Sequence, residues 1–97
     1  MNKLLTIAIP TYNRCTELDK QLQWLSEAIQ GHETECHILV SDNCSMDGTP
    51  DVIKKWQTRL QNISFQVNRH SRNIGLMPNL AFCVQQAQSE YIWIVGG

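Results

Sequence analysis

The chain of 97 residues is most easily bounded by what it lacks. It has no G-x-G-x-x-G after its first apolar run and no G-x-x-x-x-G-K-[ST], so neither the dinucleotide fingerprint nor a P-loop is present. No apolar stretch approaches the roughly 20 residues needed to span a bilayer. The early run LLTIAIP is too short for a signal peptide, follows a single Lys and lacks a small-residue cleavage pattern. Basic runs are absent and the net charge is −1, which disfavours nucleic acid as a partner. The four cysteines, at 15, 36, 44 and 83, contain no C-x-x-C. Their spacing favours no zinc site, alone or with His32, His37 and His70, and they read as free thiols of a reducing compartment. Asn43-Cys44-Ser45 and Asn62-Ile63-Ser64 match the glycosylation sequon, which carries little weight without a secretory signal.

What is present alternates. Leu4 to Ile9 is a short, mostly apolar run suited to a strand buried on both faces. Within TELDKQLQWLSEAIQG, Leu18, Leu22, Leu25 and Ile29 share one helical face, Thr16 with Asp19 resembles a capping box, and Gly31 is a plausible stop. A second strand is expected at His37 to Ser41. A second helix opens at Thr49-Pro50, with Thr49 as N-cap and Val52, Ile53, Trp56 and Leu60 as its apolar face. A third strand, Ile63 to Val67, alternates and so reads as half exposed. A third helix at about Pro78 to Gln88 is marked by Leu80, Val84 and Ala87, and a fourth strand covers Tyr91 to Val95. Trp24, Trp56 and Trp93 read as packing residues. The order β-α-β-α-β-α-β predicts one α/β unit over residues 1–97, a Rossmann-like parallel sheet with helices on both faces and strand order 3-2-1-4.

In open sheets of this kind, ligands bind beyond the carboxyl ends of the strands. Three of those ends are crowded with donors and acceptors: Pro10, Thr11, Tyr12, Asn13 and Arg14 after the first strand, Asp42, Asn43, Ser45, Asp47 and Gly48 after the second, and Asn68, Arg69, Arg72, Asn73 and Gly75 after the third. Tyr12 can stack on a base and Thr11 can bond a phosphate or ribose hydroxyl. Ionised Asp42 accepts only, and so suits an N–H edge such as that of uracil or thymine. Arg72 or Arg14 can neutralise a diphosphate. Together they describe a nucleotide lying across strand ends. Asp42 could instead close an Asx-turn, and Asp47 reads as a turn former.

IAIPTYNR, VSDNCSMDGT, RNIGLMPN and SEYIWIVGG resemble, in order, the N-terminal half of a family 2 glycosyltransferase of the GT-A fold. The resemblance implies a nucleotide-sugar donor, commonly a UDP- or dTDP-sugar, with Pro10, Thr11, Tyr12, Arg14, Asp42, Asn43, Arg72, Asn73 and Gly75 around the nucleotide. Asp47, Gly48 and Thr49 resemble the family's loop-closing turn. The ending looks most like bacterial enzymes of O-antigen or capsular polysaccharide synthesis, which implies a saccharide or lipid-linked acceptor and a cytoplasmic location, free or peripheral at the inner face of the membrane. Family members continue into a D-x-D element whose carboxylate holds Mn²⁺ or Mg²⁺. Here the sequence ends at Gly97, so no metal ligand and no catalytic residue is assigned and the isolated chain is expected to be inactive. Two other roles remain open from the residues: a binding module that transfers nothing, and an assembly role in which strand 91–95 pairs with another chain. A flavodoxin-like regulator would want acidic residues after the first strand, where PTYNR has none.

Overall fold

The computed structural model describes residues 3–96. Its elements are β1 (Leu5–Thr11), α1 (Cys15–Ala28), a 3₁₀ turn at Glu33–Glu35, β2 (Cys36–Asp42), α2 (Thr49–Arg59), β3 (Ser64–Arg69), α3 (Leu76–Gln86) and β4 (Tyr91–Ile94). All strand pairs are parallel and the order is β3-β2-β1-β4, as the alternation predicts. Strands β1, β2 and β3 run two, one and two residues further than the apolar pattern suggested, ending at Thr11, Asp42 and Arg69. Their last residues are polar, and pattern reading stops where apolarity stops.

Pro10 lies inside β1 although it has no N–H to give the ladder. Alternate residues of β1 face alternate neighbours: the Thr11 carbonyl accepts from Asn43 N toward β2, and the Ala8 carbonyl accepts from Val95 N toward β4. Pro10 therefore faces the β4 side, and β4 pairs with β1 only from Leu5 to Ala8. The missing donor falls where there is no ladder to interrupt.

Helices α1 and α2 pack on one sheet face. Ile7, Ile9, Ile38 and Val40 meet Leu18, Leu22, Leu25, Ile53, Trp56 and Leu60 in the main core. The expected faces of both helices are thus the buried ones. The capping box is not formed: Arg14 occupies the N-cap of α1 without a side-chain bond. Asp19 instead accepts from Trp56 Nε1 at 2.7 Å and pairs with Lys55 at 2.5 Å, tying α1 to α2. The Lys55 contact, then the Trp56 bond, hold its carboxyl below the usual range. Thr49 is likewise not the N-cap of α2; Gly48 is, and Thr49 begins the helix.

On the other sheet face α3 covers Ala8 and Leu39 with Cys83, and Ile92 and Ile94 pack beside them. It starts at Leu76, not Pro78, and ends at Gln86. Its buried residues are Asn79 and Cys83, and Val84 is exposed, so the apolar face read from the sequence is not the one that docks. Asn79 explains the rotation. Its Nδ2 donates to the Ser41 carbonyl at 3.0 Å and its Oδ1 accepts from Ser41 Oγ at 2.6 Å, a pairing that keeps both buried groups satisfied. Burial pushes the thiols of Cys36 and Cys83 up. Trp93 is not core: it is 43% exposed, edge-to-face with the exposed Trp24 at 6.0 Å.

Candidate functional site

Register places three polar side chains in a row. Thr11 pairs with Asp42, and Asp42 with Arg69. The side-chain period of two puts them on the face that carries Ile9, Val40 and Val67, one step beyond the apolar core. Thr11 is 2% exposed and its Oγ1 has no hydrogen-bond partner among the described residues. A buried hydroxyl left unpaired costs about 1–3 kcal/mol, and Gln21 Oε1 is the other such buried atom among the described residues.

Asp42 is 1% exposed. Its Oδ1 accepts from Ser45 N at 3.0 Å and Ser45 Oγ at 2.6 Å, and its Oδ2 accepts from Arg69 Nη1 at 2.7 Å. A carboxylate offers about four acceptor positions. Three are filled, and one on Oδ2 is free. The Asx-turn therefore forms and still leaves one acceptor position on the same side chain. The sequence points to Arg14 and Arg72 as the diphosphate cations, whereas the signal of Arg69 is positional: it stands opposite Asp42 once β3 is carried to its end. Arg14 and Arg72 are both exposed, and neither side chain is bonded among the described residues.

The loops around the row are tied to each other. Asn13, at φ 51°, donates from its backbone N to Ser45 Oγ at 2.8 Å and accepts from Met46 N on Oδ1 at 2.8 Å. Cys44 is also left-handed, at φ 66°. Strained backbone of this kind clusters at functional sites. Asn43 is buried and spans to the third loop, donating from Nδ2 to the Gly75 carbonyl at 3.0 Å and accepting from Ile74 N at 2.9 Å. Asn73 accepts from Gly75 N at 2.8 Å. Gly75 sits at φ 91°, ψ 162°, a region open essentially to glycine alone. Pro10 and Tyr12 flank Thr11, and Tyr12 leaves 43% of its surface open as a stacking face. Asn43 thus joins the second and third loops at Ile74 and Gly75, while Tyr12 is exposed and Thr11 and Asp42 are buried.

Asp47 joins the first two loops. Its Oδ2 accepts from Cys15 N, the first amide of α1, at 3.2 Å, and its Oδ1 accepts from Thr49 N at 2.9 Å and Thr49 Oγ1 at 2.5 Å. The Thr49 hydroxyl, then the Thr49 and Cys15 amides, hold its carboxyl down to about 2. Beside the row, Asp42, Arg69, Val67, Pro50, Ile53, Lys54 and Gln57 line a groove of about 300 Å³ between α2 and β3. Among the described residues no three His, Cys, Asp or Glu side chains come together in a way that could hold a metal ion. No helix among them is long and apolar enough to cross a membrane.

Loops tied to one another at the carboxyl ends of a β3-β2-β1-β4 parallel sheet are the place where open α/β folds bind ligands. Comparison with known proteins narrows the class. The family model for "Glycosyl transferase family 2" matches residues 6–96, and the chain belongs to that family. The abequosyltransferase RfbV of Salmonella typhimurium is 33% identical over 93 residues, covering 96% of this chain and 27% of that protein. The mannosyltransferase PcManGT of Pyrobaculum calidifontis, solved with GDP-Man and Mn²⁺, superposes with a TM-score of 0.88 at 21% identity, over 99% of this chain and 28% of that one. TarS of S. aureus, residues 1–349 solved with UDP, gives 0.73 at 21% identity, over 96% and 27%. The chain thus spans about a quarter of the abequosyltransferase, of the mannosyltransferase and of the TarS 1–349 fragment.

Proposed function

We propose that this chain is the donor-binding part of a glycosyltransferase that passes a sugar from a nucleoside-diphosphate donor, a UDP- or dTDP-sugar, to an acceptor hydroxyl. The observation that carries the reading is the Thr11 hydroxyl, buried and unpaired beside the one free acceptor position of Asp42. In this reading the base stacks on Tyr12 and gives an N–H to Asp42, Thr11 bonds the ribose or a phosphate, Pro10 shapes the loop, and Asn43, Asn73 and Gly75 hold the floor. Arg14 and Arg72, both exposed, reach toward the diphosphate. The TarS structure solved with UDP supports a nucleotide ligand for a protein of this fold.

In the complete enzyme an acceptor hydroxyl, on a saccharide or a lipid-linked glycan, attacks the anomeric carbon with inversion. The bond to the diphosphate oxygen breaks, the nucleoside diphosphate leaves, and the hydroxyl proton goes to a carboxylate outside these residues. Mn²⁺ or Mg²⁺ would offset the charge that develops on the diphosphate. The residues described here do not form its site, so its ligands are expected elsewhere in the protein. The pathway fits bacterial polysaccharide synthesis in the cytoplasm, at or near the inner face of the membrane.

Calorimetric titration with UDP, dTDP, GDP and CDP tests the reading. Saturable binding of UDP or dTDP is expected, with little gain from Mn²⁺. Tyr12→Ala should weaken it roughly five- to 150-fold, the range for loss of a base-stacking aromatic. A folded chain that binds none of the four sinks the proposal. Detectable sugar transfer by the 97-residue chain would show instead that it carries a complete catalytic site.

The outer edge of β4 takes no strand among the described residues, and it is flanked by Tyr91, Trp93 and Trp24, all exposed. Strand β4 bears no charge or proline to blunt it, whereas β3 at the other edge carries Gln66, Asn68 and Arg69. We expect the isolated chain to self-associate through this edge. Sedimentation over a range of concentrations should show reversible association that Trp93→Lys abolishes, and a monomer at millimolar concentration would count against it.

A further inference from the structure

We propose that Arg69 is the positioning residue of the nucleotide site, acting through Asp42; the proposal rests on the donor-site reading above. One guanidinium closes a ring of four hydrogen bonds. Its Nη1 donates to Asp42 Oδ2 at 2.7 Å and its Nη2 to the Ser45 carbonyl at 2.9 Å. Ser45 N and Oγ close the ring on Asp42 Oδ1. The ring reaches the first loop as well, because Ser45 Oγ accepts from the backbone N of Asn13, next to Tyr12.

Two consequences follow from acceptor counting. With Oδ1 saturated by Ser45, Oδ2 is the only carboxylate oxygen with room for a ligand N–H. Arg69 occupies one of its two positions, so it decides which position remains and where it points. The planar fork of arginine fixes both of its acceptors at once, and a lysine can serve only one of them at a time. The Asp42 side chain is almost wholly buried and Arg69 is 42% exposed, so the guanidinium is the solvent-facing member of the pair. Both members of the pair line the groove with Val67, Pro50 and Ile53. Arg69 thereby sets the angle at which a base edge meets β2 without having to touch the sugar or the diphosphate.

The test is a double-mutant cycle on UDP affinity with Arg69→Gln, Asp42→Asn and the double variant, plus Arg69→Lys. Arg69→Gln should weaken UDP about tenfold. Arg69→Lys should recover part of that loss, not all. In the Asp42→Asn background, Arg69→Gln should change affinity less than about twofold, because the group it acts through is gone. Equal effects in both backgrounds, or wild-type affinity in Arg69→Lys, would overturn the positioning role while leaving the donor site standing. Failure of the parent chain to bind UDP would remove the donor reading and this proposal with it. The double variant replaces the ion pair by two neutral amides, so the comparison with Asp42→Asn is available even where Arg69→Gln alone fails to fold.

Discussion

Asp42→Ala is expected to abolish most of the nucleotide affinity and to loosen the loop that carries it. Three donors lose their acceptor at once: Ser45 N, Ser45 Oγ and Arg69 Nη1. Ser45 is itself buried, and stranding its amide costs about 1–3 kcal/mol. Arg69 is partly exposed and can return to water, so its loss adds less. A midpoint shift equivalent to about 2–3 kcal/mol in urea unfolding is the expected stability result. The ligand loses a hydrogen bond to an ionised group, about 1.5–3 kcal/mol, which is roughly ten- to 150-fold in affinity. The two readouts separate the two roles of the residue. A variant that is destabilised but still binds UDP normally would reduce Asp42 to a turn former. A variant that stays folded yet loses both is the result expected if one carboxylate closes the loop and, as proposed, faces the base.

The row of Thr11, Asp42 and Arg69 shows how far the sequence could be read. Strand order follows from strands alternating with amphipathic helices, because right-handed crossovers leave few other arrangements. Thr11 and Asp42 were reachable, since each follows an apolar run directly. Arg69 stands in the third strand-end set as well, but its partner is not legible, because Phe65 and Val67 mark β3 while Asn68 and Arg69 look like loop. Only the pairing Asp42↔Arg69 reveals the contact, and register is a tertiary property. The same limit explains α3. Its sequence contains an apolar stripe at Leu80, Val84 and Ala87, and hydrophobic periodicity points that stripe inward. The helix instead turns Asn79 to the sheet, where Ser41 holds it from both ends of its carboxamide. A buried polar pair outweighs a modest apolar stripe, because an unpaired amide in the core costs more than an exposed valine. Asn43 and Gly75 were placed near the nucleotide by resemblance, and the geometry gives them a physical task, fastening the third loop to the second.

Asp47→Ala is expected to produce the second large effect, on stability first and on binding through it. One carboxylate serves the N-terminal amides of two helices: Cys15 N opens α1 and Thr49 N opens α2. The N-cap of neither helix offers a side-chain bond of its own, Arg14 for α1 and Gly48 for α2. Asp47 therefore does for both what Ser, Thr or Asn would do for each. Loss of one cap costs about 1 kcal/mol, so loss of two costs about 2 kcal/mol, or roughly 8–16 °C in the melting temperature of a domain this size. The negative charge also complements two helix dipoles, which an Asn at this position would not. Sign follows from the depressed carboxyl, held down to about 2 by Thr49 and Cys15. Its contribution is complete above the ordinary aspartate value near 4 and is lost as the pH falls toward 2. Melting curves between pH 2 and 7 should therefore show an acid limb in the parent chain that is shallower in Asp47→Asn. UDP affinity should fall only a fewfold in either variant, because Asp47 fixes the distance between the first and second loops without facing the ligand. A large affinity loss at unchanged melting temperature would mean that Asp47 touches the donor directly, and the division between Asp42 facing the base and Asp47 holding the frame would have to be redrawn.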